Sequence, residues 1–146
     1  MDYDLPESTS KIFTIAARHE LQYPRVHVEE LSDGPWSLRM VEHPDDPIWN
    51  AYSRGPSNPP TFANLMRIHC GARYGGMSAD TKVIHGGFTA EFGGMLRGPS
   101  WQAAIEDFGT HRFTLRDAGT RPVMFFIYVG LGARHEGGLT LELIKG

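Results

Sequence analysis

Three things are scarce in this sequence: cysteine, excess positive charge and long apolar stretches. Its single cysteine, Cys70, cannot form a disulfide within the chain and favours a reducing, cytoplasmic compartment. The 14 Lys and Arg residues against 17 Asp and Glu give a net charge of -3, which disfavours a nucleic-acid binder with a broad basic face. No stretch of about 18 apolar residues occurs, so we expect no membrane span. The acidic N-terminus also lacks the features of a cleaved signal peptide.

The length and composition predict one globular domain spanning residues 1–146. A chain of 146 residues with 40% hydrophobic and 21% charged residues has the usual size and composition of a single folded domain. The prolines and glycines are concentrated at about 43–80, and five prolines lie before residue 61 in that stretch. Regular structure cannot propagate through so many prolines, so we expect an irregular insertion there. Trp49 and Tyr52 indicate that this insertion packs onto the rest of the protein.

Hydrophobic periodicity predicts an α+β fold. Apolar residues at helical spacing, together with capping residues, indicate helices over about 8–21, 61–70, 88–96 and 101–108. Alternation indicates strands over 25–31, 36–40, 112–116, 121–132 and 139–143, with the first two joined as a hairpin by the turn at 32–35. Short connections favour an antiparallel sheet of about five strands with the helices packed on one face. The strand at 121–132 is apolar on both faces, which predicts either a covered central strand or a subunit interface, and we expect the protein to form a homo-oligomer.

The most specific local motif is Val83-Ile84-His85-Gly86-Gly87-Phe88-Thr89-Ala90. A glycine pair that opens a helix leaves backbone N–H groups unbonded, and the helix dipole adds positive potential there. Such amides can stabilise a carbonyl oxygen that gains negative charge. The alternative is a glycine-rich turn in which His85 makes a structural hydrogen bond.

This motif resembles the His-Gly-Gly stretch that opens the central helix of hotdog-fold thioesterases, and residues 26–40 resemble the first hairpin of that family. The resemblance implies a hotdog-like sheet wrapped around a helix and hydrolysis of a small acyl-CoA or carrier-bound thioester at a dimer interface, without a cofactor. It implies that the Gly87 N–H polarises the thioester carbonyl and that His85 positions it. The family has an acidic residue about nine positions after the histidine, where Gly94 stands here. Glu91, one turn earlier, is the candidate for that role.

Other residues that could carry chemistry favour structural roles. Cys70 and His69 are neighbours, and adjacent helical residues point about 100° apart, so a buried, inert Cys70 is the favoured interpretation. Seven dispersed histidines and one cysteine do not match the ligand spacing of a zinc site, and we expect no metal. His27, His69 and His111 are predicted to be surface or capping residues. The residues at 134–136 are predicted to form a charged hairpin tip, while the glycine doublets indicate tight turns or close backbone approaches.

A second class of function is non-catalytic. Residues 105–126 resemble, over a short stretch, small tail-completion or head–tail joining proteins of tailed phages. An assembly subunit would account for the irregular insertion, the strand that is apolar on both faces and the lack of an evident catalytic constellation. The resemblance implies a virion structural protein that forms a ring through heterologous contacts. Both the thioesterase and the assembly subunit therefore stand as hypotheses.

Overall fold

Strands account for most of the structure. The computed structural model describes residues 10–18, 22–54, 62–70, 83–85, 89–92, 100–116, 122–127 and 135–146. Within these ranges the strands are β1 (Ser10–Ala16), β2 (Val26–Glu29), β3 (Gly34–Met40), β4 (Tyr52–Arg54), β5 (Phe62–Ala63), β6 (Met66–Cys70), β7 (Val83–His85), β8 (Thr89–Phe92), β9 (Thr110–Arg116), β10 (Val123–Phe126), β11 (His135–Glu136) and β12 (Gly138–Lys145). The helical elements of the same ranges are α1 (Trp101–Phe108) and a 3-10 turn (Pro47–Trp49).

The strands form two main sheets and one small sheet. The first has the order β1-β12-β3-β9-β7, the second has the order β2-β10-β6-β8, and the small sheet has the order β11-β4-β5. The strand pairs are antiparallel except for the parallel pair β7–β9. The predicted α+β, hotdog-like fold with one sheet of about five strands and helices on its face is therefore wrong. The sheets cover each other instead.

One core lies between the two main sheets. The five-stranded sheet contributes Ile15 and Leu38, and the four-stranded sheet contributes Ile68 and Phe125, all of which are fully buried. The Phe13 and Phe125 rings, one from each sheet, meet with centroids 5.0 Å apart. Because side chains alternate along a strand, each sheet turns one apolar row inward and its other face outward.

The largest errors of the sequence prediction concern strand partners and helix periodicity. The predicted hairpin is wrong, because β2 pairs with β10 in one sheet while β3 pairs with β12 and β9 in the other. The predicted helix at 8–21 is strand β1 where the chain is described, and that at 61–70 is β5 and β6. Helix α1 and strands β9 and β12 are confirmed. The predicted strand at 121–132 is confirmed over Val123–Phe126.

The described part of the 43–80 insertion packs onto the core, as expected from its aromatic residues. Trp49 and Tyr52 are 4% and 2% exposed. The insertion is not wholly irregular, because β4, β5 and β6 lie within it. These strands form because β4 pairs with β5 and β11, and β6 pairs with β8 and β10. A proline-rich sequence does not reveal such partners.

Helix α1 is fixed beside the end of β3. Ser100 Oγ accepts a hydrogen bond from the Ala103 amide at 3.2 Å and caps the N-terminus, while Gly109 ends the helix with φ at +64°. The fully buried Asn64 donates from Nδ2 to the Ala104 carbonyl at 2.8 Å and to Asp107 Oδ2 at 2.9 Å. These bonds hold the helix against the segment between β5 and β6.

Candidate functional site

The three residues predicted to act in thioester hydrolysis do not share a helix. His85 ends β7 and pairs with Arg116 of β9, in the five-stranded sheet. Glu91 lies in β8, opposite Arg67 of β6, in the four-stranded sheet. Gly87 lies outside the described residues. The predicted helix at 88–96 is therefore wrong where the chain is described, at residues 89–92, and Glu91 does not lie on a helix that starts at His85. Acyl-thioester hydrolysis itself stays a prediction.

The other predictions concerned a metal site, the positions of the histidines and Cys70. Among the described residues, no group of three or more His, Cys, Asp or Glu side chains could hold a metal ion. His69 was predicted to be a surface or capping residue and His135 to lie at a charged hairpin tip, but both are buried in strands, at 8% and 3% exposed, so those predictions are wrong. The His135 ring packs edge-on against Tyr52 with centroids 5.5 Å apart, which buries the start of β11. Cys70 is the last residue of β6.

His43 is a buried histidine whose polar atoms are all engaged. Its Nδ1 accepts from the amides of Asp45 and Asp46, both at 3.1 Å, so in the neutral ring the proton sits on Nε2. Nε2 then donates to Tyr23 Oη at 2.6 Å. The His43 amide donates to Asn50 Oδ1. A ring with both nitrogens bonded in this way holds the loop after β3 in place.

Strand β2 lies at the edge of its sheet, within the part of the chain that the structure describes, and its outer face is apolar. It is the terminal strand of the four-stranded sheet, and Val26 and Val28 on its outer face are 42% and 51% exposed. Phe126 and Met124 of β10 lie directly opposite these two valines and are half-buried. Opposed residues of antiparallel strands share one face of the sheet. We call Val26, Val28, Met124 and Phe126 the β2 patch.

The inner face of β2 is tied to the other sheet. Glu29 Oε2 accepts from Lys11 Nζ at 2.7 Å and Glu29 Oε1 accepts from His27 Nε2 at 2.9 Å. The His27 ring also stacks on Phe13, with centroids 4.0 Å apart and planes 6° from parallel. Partial burial raises the pKa of Glu29, but the hydrogen bonds from Lys11 and His27 outweigh it, and the net pKa is below the ordinary value. This cluster closes the sandwich where β1 and β2 meet.

A cleft of about 350 Å³ lies between the end of β3 and helix α1. Its apolar surface comes from Met40 and Val41 on one side and from Trp101 and Ile105 on the helix. Trp101 and Ile105 are partly buried and pack against the core with their remaining surface. This volume lies at the lower end of the range of small-molecule sites.

The polar groups of the cleft carry more negative than positive charge. Arg39, Glu42, Gln102 and Glu106 contribute to its lining. Arg39 is already paired, because its Nε donates to Glu142 Oε1 at 2.5 Å. A hydrogen bond from Ser10, together with that from Arg39, holds the pKa of Glu142 below its ordinary value. No described residue forms an ion pair with Glu42 or Glu106.

Sequence reasoning missed both the β2 edge and the cleft. Alternation predicted a strand at β2, but a sequence pattern does not tell which face of a strand is covered, so the exposure of Val26 and Val28 could not be inferred. The helix that lines the cleft was predicted at 101–108, and its exposed Gln102 and Glu106 share a side of it at a spacing of four. That spacing was the one sequence signal that could have indicated a polar side of the helix next to the cleft. The β3 wall could not be inferred, because it comes from a different part of the chain.

Comparison with protein-family models, with curated proteins and with solved structures finds no significant match for this chain. The part of the chain that the structure describes contains no helix with the length and apolarity needed to cross a membrane. Functional inference therefore depends on the geometry of the β2 edge and of the cleft.

Proposed function

We propose that the chain is a non-catalytic subunit of a homo-oligomeric assembly, joined to a second copy through the open edge of β2. The observation that carries the proposal is the pair of exposed valines, Val26 and Val28, on a terminal strand of the sheet. An open strand edge presents unpaired N–H and C=O groups to another chain, and proteins that avoid such pairing usually place charges or proline on it. Here the outer face of that strand is apolar.

The sequence of β2 and the residue before it is complementary to itself in antiparallel pairing. With His27 opposite His27 of a second copy, Val26 lies opposite Val28 and Arg25 lies opposite Glu29. Arg25 is exposed, and no described residue pairs with it. Opposite charges and branched apolar residues are favourable partners across antiparallel strands. A two-fold axis through His27 would thus join two four-stranded sheets into one of eight strands.

The apolar area gives a modest affinity. Burying a fully exposed valine side chain contributes about 1.5 to 3 kcal/mol, and these valines are about half exposed, so each contributes about 1 kcal/mol. Two valines from each copy then supply about 4 kcal/mol, to which strand hydrogen bonds and the half-buried Met124 and Phe126 add. Because association also costs several kcal/mol of translational and rotational entropy, we expect a weak dimer that forms only at high protein concentration.

The phage-like similarity at 105–126 is compatible with this class of function. The pairing through β2 is isologous and closes at two copies. A ring of the kind built by head–tail joining proteins would add a heterologous contact to it.

Sedimentation velocity over a concentration series tests the proposal with Val28→Lys. The wild type should sediment at twice the chain mass at high concentration. The variant should stay monomeric, with its dissociation constant raised at least about tenfold, because a lysine would replace the central apolar contact. Ile12→Lys is the matched control. Ile12 is also a branched apolar residue, it is 64% exposed, and it lies on β1, a terminal strand of the five-stranded sheet. A wild type that remains monomeric at about 1 mM would refute the proposal.

A thioesterase assay accompanies this experiment. A panel of acyl-CoA substrates is incubated with the protein, and free thiol is followed. Turnover that disappears in Glu91→Ala would favour the hydrolase hypothesis and contradict a non-catalytic role.

A further inference from the structure

We propose that the cleft between β3 and α1 binds an organic cation, namely a primary ammonium or guanidinium group on an apolar stem. This binding function is separate from self-association, because the cleft and the β2 patch share no residue.

The chemistry of the cation follows from the charges at the rim. Glu42, which follows β3, and Glu106, which lies on α1, both line the cleft, and no described residue forms an ion pair with either. Arg39 does not change this balance, because Glu142 already binds it at 2.5 Å. A ligand that enters between two such carboxylates is favoured when it carries positive charge.

The chemistry of the stem follows from the apolar walls, which are independent of the charges. Trp101 and Ile105 of α1 and Met40 of β3 all line the cleft of about 350 Å³. An indole ring attracts cations through its negative face as well as burying apolar surface. A bare metal ion or a fully hydrated cation would leave those walls exposed. An alkylammonium or alkylguanidinium group would use both the carboxylates and the ring.

The helix makes the site rigid on one side. Ser100 caps α1, and Asn64 ties the opposite face of the helix to the core through the Ala104 carbonyl and Asp107. Trp101 is therefore presented from a fixed backbone, which lowers the entropic cost of binding.

Titration of isotope-labelled protein by NMR tests the proposal with hexylamine and agmatine, and with hexanol and hexanoate as the neutral and anionic counterparts of hexylamine. We expect both cations to shift the Trp101 indole and the α1 amides with dissociation constants below about 10 mM, at least about tenfold tighter than hexanol. Higher salt should weaken the binding. Equal affinity for hexylamine and hexanol, a preference for hexanoate, or no response to either cation would overturn the proposal.

Three variants locate the site. Glu42→Gln and Glu106→Gln should each weaken hexylamine binding roughly threefold to tenfold, and their combination should weaken it more, because each retains shape and removes one charge. Glu136→Gln is the matched control, since Glu136 is exposed on β11 and does not line the cleft. An unchanged spectrum outside the cleft shows that each variant is folded. Loss of binding in Glu136→Gln equal to that in Glu106→Gln would contradict the assignment.

One further probe, a lysine peptide, distinguishes whether the cation belongs to a partner protein or to a small molecule. A capped Gly-Lys-Gly peptide carries the same ammonium group as hexylamine on a protein side chain. Tighter binding of the peptide than of hexylamine identifies a lysine side chain of a partner as the ligand, whereas tighter binding of hexylamine or agmatine identifies a small free amine. Either result requires the cation preference that the proposal states.

Discussion

Replacing Asn64 by aspartate should place two carboxyl groups in contact and destabilise the protein in a pH-dependent way. Asn64 is fully buried, and its Nδ2 lies 2.9 Å from Asp107 Oδ2. Asparagine and aspartate have nearly the same shape, so the substitution changes a hydrogen-bond donor into a charged acceptor with little change in packing. The change isolates an electrostatic effect at the anchor of α1.

The folded Asn64→Asp protein can accommodate the second carboxyl group in two ways, and each has a cost in the free energy of unfolding. At an effective dielectric constant of about 20, two unit charges 2.9 Å apart repel by about 5 to 6 kcal/mol. Alternatively, one carboxyl takes up a proton, and holding that proton at pH 7 against an ordinary pKa of about 4 costs about 4 kcal/mol. We expect the cheaper route, a loss of about 4 kcal/mol in the free energy of unfolding at pH 7. This is a large part of the stability of a small domain.

The pH dependence gives the sharper test. The shared proton raises the folded-state pKa of the pair above its unfolded value, so the penalty is small at low pH and grows as the pH rises. Urea unfolding followed by tryptophan fluorescence should give a loss near 4 kcal/mol at pH 7 and about 1 kcal/mol at pH 4.5. Asn64→Ala is the control, because it removes two hydrogen bonds, costs about 2 kcal/mol and has no such pH dependence.

Either of two results would show that repulsion between the two carboxyl groups is not the cause of the lost stability. One is an equal loss of stability in Asn64→Asp at both pH values. The other is a failure of Asp107→Asn, introduced into Asn64→Asp, to restore most of the lost stability.

Two further predictions concern stability. Glu29→Gln should lower the free energy of unfolding by about 1 kcal/mol at pH 7, since Lys11 and His27 both donate to the carboxylate and Lys11 is half exposed. The folded-state pKa of Glu29 lies below its unfolded value, so its contribution is present above the ordinary carboxyl pKa and is lost as the pH falls through the folded value. Urea unfolding, measured in the monomeric Val28→Lys variant so that dimerisation does not contribute, should show the difference shrink as the pH falls below the ordinary carboxyl pKa, and a constant difference would contradict it. Gly138→Ala should cost more than about 3 kcal/mol, because a Cβ at Gly138 would overlap the Ile15 carbonyl oxygen of β1. Thermal unfolding measures that loss, and Ala16→Gly, in the same strand pair, should cost only about 1 kcal/mol.

Some errors in predicting the fold came from ambiguous periods. Residues 61–70 place Phe62, Leu65 and Met66 at helical spacing, yet Met66 and Ile68 also alternate, and both are fully buried in the observed strand. Short apolar stretches fit either period, and the available partners decide between them. Here β10 and β8 flank β6 on both sides, which makes the strand the stable solution.

What the sequence by itself determined is local. The alternation of Leu139, Leu141 and Leu143 predicts β12, and the apolar residues at 101–108 predict α1, because these signals lie within one element. Tertiary structure alone decided that β2 and β3 belong to different sheets and that Val26 and Val28 face outward. It also decided that Glu42 and Glu106 line one cleft. Strand partners and exposed faces depend on contacts between distant parts of the chain, and a periodic pattern carries no information about which distant segment will cover it.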